Sequence, residues 1–324
     1  MDRKSFLKTS ALLGTGLYWW SATGRTGSRL SPDRLPTIGL GLFSIPKLLE
    51  NNLEEGVRLM AEIGIREFET YGPYSFTDER TKASWSALTS QLGFSGSGFF
   101  RRSVGEFKDL LDSYGIRVPS MHTDLFTLET NMSALADAAR RLGARYVVLP
   151  AIPESERTDR EAYRRMAERF NEIGRQAREE GVRFAYHNHG YGLVPETDGV
   201  VPLDLLLRGT DPDTVFLEMD LFWTVAGHAD PLALLDAHPG RYRMLHIKDM
   251  RTITRFKGSG STPAEWMELF PLLVPAGEGE IPLEEILSAA YHAGVEHYFI
   301  EHDFAPDPKQ NIRSACDYLR GLDL

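Results

Sequence analysis

The stretch VRFAYHNHG, residues 182–190, decides how this chain is to be read. Val182 to Tyr186 form an apolar run of the kind that makes a buried strand, and the run ends abruptly in His187, Asn188 and His189 before Gly190. A polar loop would explain the ending. The alternative depends on whether other apolar runs in the chain end the same way.

They do. Short apolar runs at 37–45, 65–72, 116–125, 144–152, 182–190, 214–223, 242–250 and 296–304 alternate with amphipathic stretches at 48–64, 104–114, 131–142, 160–180, 203–208, 231–237, 283–293 and 309–320. Eight strand–helix units imply a parallel sheet with right-handed crossovers, and within about 290 residues they point to a closed (β/α)8 barrel, the TIM-barrel architecture. A doubly wound open sheet would call for a glycine-rich phosphate loop after an early strand. Gly39 and Gly41 fall inside the first strand, and no later glycines complete such a loop. The expectation is an α/β fold with one catalytic domain over residues 36–324. The Ser- and Gly-rich insertion at 75–103 interrupts the pattern, and its segment 84–98 reads as a lid or a long loop.

Composition narrows the function classes. The 324 residues are 42% hydrophobic and 25% charged, with a formal net charge of −10. The first 30 residues hold five basic side chains against one acid, so the remaining chain carries a formal −14. Such a chain has no general attraction for nucleic acid or anionic lipid. A small-molecule ligand fits better. The single cysteine, Cys316, excludes an intramolecular disulfide and a thiolate metal cluster, so any metal is held by nitrogen and oxygen. After the leader no segment has the roughly 20 apolar residues of a membrane span, so stable membrane insertion of the mature chain is not expected.

Residues 1–30 read as an export signal: a basic start, an apolar run from Ala11 to Trp20, then small residues. Arg3-Lys4-Ser5-Phe6-Leu7-Lys8 resembles the twin-arginine motif with lysine in the second place, which implies export of a folded protein, with the periplasm as destination. A merely amphipathic N-terminus is the alternative.

In a (β/α)8 barrel the C-terminal strand ends carry the active site. Sorted this way, the strand ends collect Glu69, His122, His187, Asn188, His189, Asp220, His246, Lys248, Glu301 and Asp303. Side chains alternate along a strand, so His187 shares a face with His189, His246 with Lys248, and Glu301 with Asp303. His187, Asp220, His246 and Glu301 stand on four consecutive strands and form a candidate metal set. Mixed nitrogen and oxygen donors suit one divalent ion of the Mn²⁺, Zn²⁺, Co²⁺ or Fe²⁺ type. Glu218 should lie one layer below Asp220, in a structural or supporting role.

Taken in order, YHNHG, EMDLFW, GRYRMLHIKDM and YFIEHDFAPDP with SACDYLRGL resemble the xylose-isomerase-like TIM-barrel superfamily of sugar phosphate isomerases and epimerases, which also includes inosose dehydratase and endonuclease IV. The resemblance spans roughly residues 36–322. It implies a metal held by Glu, Asp, His and Glu on strands five to eight, with the last three falling on Asp220, His246 and Glu301. The strand-five glutamate falls on His187. That replacement removes one of the two carboxylates with which the epimerases work on opposite faces of an enediolate.

The reading is a metal-dependent sugar isomerase or epimerase working through an enediolate. A 3-keto-glycoside lyase or dehydratase is the first alternative, and a non-catalytic, exported carbohydrate-binding barrel the second. Glu301, His122 and His189 are candidate bases, and Lys248 is a candidate for stabilising an oxyanion or protonating a leaving oxygen. Glu69, Asn188, His189 and Trp223 are expected to contact the sugar, with a buried ion pair as the other reading of Glu69 and packing as the other reading of Trp223. A nucleic-acid repair role would need a basic face, which the charge balance opposes.

Overall fold

A computed structural model describes residues 34–324; the export-signal reading of 1–30 lies outside these residues. Eight parallel strands close into a barrel: β1 (Gly39–Gly41), β2 (Glu67–Tyr71), β3 (Arg117–His122), β4 (Tyr146–Leu149), β5 (Arg183–His187), β6 (Val215–Asp220), β7 (Tyr242–Ile247) and β8 (His297–Ile300). Each pairs with its sequence neighbours, and β1 closes the ring against β8. The (β/α)8 barrel expected from the alternation is the fold observed.

The interior explains why the polar residues collect at one end. Tyr146, Val148, Ala185, Met244 and Phe299 are fully buried and form a separate apolar cluster. Two residues further along their strands, on the same inward face, stand His187, His246 and Glu301. The barrel is thus plugged with apolar side chains below and polar above. Register fixes the upper layer: His187 lies opposite Glu218, Asp220 opposite His246, and His246 opposite Phe299.

Several boundaries differ from the sequence reading. The first strand ends at Gly41, because Leu42–Ser44 turns into a 3-10 helix and Pro46 opens an α-helix. The sixth stops at Asp220, whose carboxylate accepts a hydrogen bond from Trp223 N at 2.9 Å and caps the helix Leu221–Ala226. The seventh breaks at Lys248, beyond which Asp249–Met250 pairs antiparallel with Leu273–Val274. The insertion at 75–103 contains a helix, Glu79–Leu92, capped by Asp78 and ended by Gly93 in the left-handed region (φ 73°). Its serines and threonines disguised the helical spacing of Trp85, Leu88 and Leu92.

Gly39 shows how tightly the plug is built. A Cβ there would stand 2.5 Å from the ring of Phe299, which is fully buried and has no room to withdraw. Gly39→Ala is therefore expected to destabilise the fold by about 1–3 kcal/mol. The check is a lower denaturant midpoint with an unchanged slope.

Candidate metal centre

His246 is the hinge of the site. Its Nε2–H is held by Glu69 Oε2 from β2 at 2.5 Å, which turns Nδ1 toward Glu301 Oε2 just beyond β8. His187 is held in the same manner. Its Nδ1 lies 3.1 Å from Glu218 Oε2, while its Nε2 faces Asp220 Oδ2 at 3.7 Å. An ionised carboxylate only accepts, so Nδ1 of the neutral His187 ring carries the proton and Nε2 keeps its lone pair. Each imidazole is backed by a carboxylate, the arrangement that fixes the tautomer and orientation of metal-ligating histidines.

The donor atoms face one another. Ligand atoms of Asp220, His246 and Glu301 lie within 4.8 Å of one another, and so do those of His122, His187, Glu218 and His246. The four expected ligands therefore do not form one set of that span: His187 joins the deeper group, and the two groups share His246. Asp220 Oδ2 and His246 Nδ1 are buried and make no hydrogen bond, with only the charged groups of Lys248 and Glu301 beside them. Buried polar atoms are rarely left so. Their donor chemistry and their position beside Glu301 fit a divalent ion.

The charges are arranged around this point. Burial would lower the His122 pKa, but Glu69 and Glu218 outweigh it and raise it to about 9. Burial likewise opposes protonation of His246, and Glu301, Glu218 and Glu69 overcome it. His187 moves the other way: burial and the neighbouring His246 charge hold it well below the usual histidine range. Burial raises Asp220 to about 6 against the pull of Lys248. Lys248 stays charged despite burial, with Asp220 Oδ2 at 3.1 Å, Asp303 Oδ2 at 2.7 Å and Glu301 Oε2 at 3.6 Å.

Above the layer opens a cavity of about 410 Å³, walled on its polar side by His122, His187, His189, His246, Lys248, Glu301 and Asp303. Three residues expected to contact substrate are not in its wall. Glu69 is 2% exposed and paired with His122 at 2.9 Å and His246, so the ion-pair reading holds. Asn188 donates to Thr224 Oγ1 at 3.1 Å and accepts from Asp220 N at 3.3 Å, which braces Asp220. Trp223, carried inward by the helix that Asp220 caps, stacks on Phe256 and backs the ring of His189. Glu218 has the supporting place expected of it: it is fully buried and reaches His122, His187 and His246. Its spacing two residues before Asp220 was the signal available.

The model of the xylose isomerase-like TIM barrel family matches residues 57–322. The chain belongs to this family. Inosose dehydratase of Clostridium perfringens (strain 13 / Type A) is 27% identical over 286 residues, covering 84% of this chain and 90% of that protein. A sugar phosphate isomerase/epimerase from Parabacteroides distasonis superposes with a TM-score of 0.68 at 21% identity, over 92% of this chain and 97% of its own. The IolI protein, solved with a zinc atom bound, gives 0.62 at 17% identity, over 87% and 95%. At these identities the solved structures speak for the fold.

Two outcomes test the centre. Glu69→Gln and Glu218→Gln should each weaken metal binding by about 10–100-fold while the fold is kept, read by metal titration. Uptake must also displace protons from His246 and, below about pH 6, from Asp220. Both pKa values are raised without metal, so affinity falls as pH is lowered and falls more steeply below about 6. Calorimetry in buffers of different ionisation enthalpy counts the protons released.

Proposed function

We propose that the protein is a divalent-metal-dependent lyase that removes a proton beside a carbonyl of an oxidised sugar and expels a β-oxygen substituent. The observation that carries this reading is the asymmetry of the site. Glu301 stands on β8's side of the centre, while the place filled by a second carboxylate in two-base epimerases is His187, neutral and committed through Nδ1 to Glu218. Elimination needs only one base and one proton donor to the leaving oxygen.

The cavity wall supplies both. His189 lines the cavity as an imidazole that burial and then the charge of Lys248 keep neutral, so it presents a lone pair to the proton on carbon, and the charge of Glu301 favours the imidazolium that forms. The Lys248 ammonium donates to the leaving oxygen as the carbon–oxygen bond breaks, and the electrons of the broken C–H bond form the new double bond. A bound Mn²⁺, Zn²⁺, Co²⁺ or Fe²⁺ ion supplies Lewis-acid polarisation of the carbonyl. Asp220, His246 and Glu301 would hold it, with His187 next to them. The relatives named inosose dehydratase, one aligned over most of both chains, support this chemistry.

A second reading has its own observation. His122 lines the same cavity and is held protonated, with a pKa near 9, so it can return a proton to carbon and complete an isomerisation or epimerisation. On the strength of the basic and apolar leader, we place the enzyme outside the cytoplasm, where glycosides and oxidised sugars are the available substrates.

The deciding experiment incubates metal-loaded protein with 3-keto-glycosides in D₂O. Release of aglycone or water is expected. Deuterium in recovered sugar would move the assignment to isomerase or epimerase, and no exchange with any sugar would leave a binding protein. His189→Gln should lower kcat by at least about 100-fold with metal content unchanged.

A further inference from the structure

The cavity has a second wall of opposite character. Its sides are formed by Phe43 after β1, Tyr71 at the end of β2, Leu125 after β3, and the helix Glu79–Leu92, which contributes Thr81, Ser84, Trp85 and Leu88. Spacings of three, four and seven residues set these four on one helical face. The helix buries none of its residues fully, and Leu88 is 48% exposed.

The polar side-chain atoms of Tyr71, Thr81, Ser84 and Trp85 on this wall are already engaged. Tyr71 donates its hydroxyl to Gly96 O at 2.6 Å, and Trp85 donates Nε1–H to Ser95 O at 3.0 Å. Thr81 donates to Asp124 Oδ1 at 3.2 Å, and Ser84 donates to Arg80 O at 3.0 Å. What Phe43, Tyr71, Trp85, Leu88 and Leu125 add to the wall is mainly ring and aliphatic carbon. A sugar can lay its C–H face on such rings but finds few partners there for its hydroxyls, whereas an aromatic ring loses no hydrogen bonds and gains contact with Trp85, Tyr71 and Phe43.

We propose that Phe43, Tyr71, Trp85, Leu88 and Leu125 form an apolar subsite for the aryl aglycone of a glycoside whose sugar ring lies on the histidine and carboxylate side. The proposal rests on the carbohydrate reading above and adds to it the class of leaving group. A volume of about 410 Å³ falls within the range of pockets that enclose ligands larger than one pyranose ring.

The test titrates metal-loaded protein with phenyl β-D-glucopyranoside, methyl β-D-glucopyranoside and phenol. The phenyl glucoside should bind at least tenfold tighter than the methyl glucoside, a difference of about 1.4 kcal/mol. Leu88→Gln, at an exposed position on a helix outside the barrel, and Trp85→Ala should both erase that preference with metal content unchanged. Equal affinity for the two glucosides, or a preference that survives both substitutions, overturns the subsite. Binding of phenol that Leu88→Gln removes, with neither glucoside bound, keeps the subsite and overturns the sugar assignment.

Discussion

A histidine gripped at both nitrogens is the constraint on which the site depends. His246 is 1% exposed, with Glu69 on Nε2 and Glu301 on Nδ1. Buried carboxylates cost several kcal/mol each unless paired, and the pairing must be geometrically close to offset that cost. The closed barrel provides the closeness. Residues 177 positions apart in the chain become contacts across one ring of strands, and the same ring brings His122, His187 and Glu218 into the layer. The apolar plug of Val148, Ala185, Met244 and Phe299 underneath keeps water from screening these charges from below.

The same layer divides the cavity by chemistry. Strand ends contribute charged and imidazole groups because the period-2 alternation that buries Met244 and Phe299 carries His246 and Glu301 onto the same inward face. The loops and the helix Glu79–Leu92, free of that alternation, contribute rings and aliphatic chains above it.

The barrel and its ligand-type residues were legible because both are written as local patterns: apolar runs that end in polar residues, repeated eight times. What stayed hidden depended on register between strands far apart in sequence. Nothing near Glu69 announces that its partners are His122 and His246, and nothing near Glu218 announces three histidines around it. Reading β6 on through Trp223 puts its ring in the sugar's path, and the place just beyond the end of β5 puts Asn188 there. Once Asp220 caps a helix, Trp223 turns into the packing behind His189, and Asn188 is spent on holding Thr224 and the Asp220 amide. The helix Glu79–Leu92 was obscured by its own composition, since an amphipathic face of Trp85, Leu88 and Leu92 is sparse among serines and threonines.

His187 alters the electrostatics more than the geometry. Where the family pattern has three carboxylates and one histidine, the group here is Asp220, His246 and Glu301 with the imidazole of His187 beside it in place of the third carboxylate, so it carries two negative charges instead of three. A divalent ion would neutralise such a set, and beside it Lys248 and Asp303 pair with each other at 2.7 Å. An ion that keeps more of its effective charge polarises a substrate carbonyl more strongly. The second carboxylate is not lost from the barrel, however. Glu218 sits behind His187, fully buried, with its carboxylate turned to the imidazoles of His122, His187 and His246. A carboxylate in that position can tune a ligand but cannot reach a substrate carbon, which is why the exchange of Glu for His at residue 187 bears on the choice between one-base elimination and two-base epimerisation.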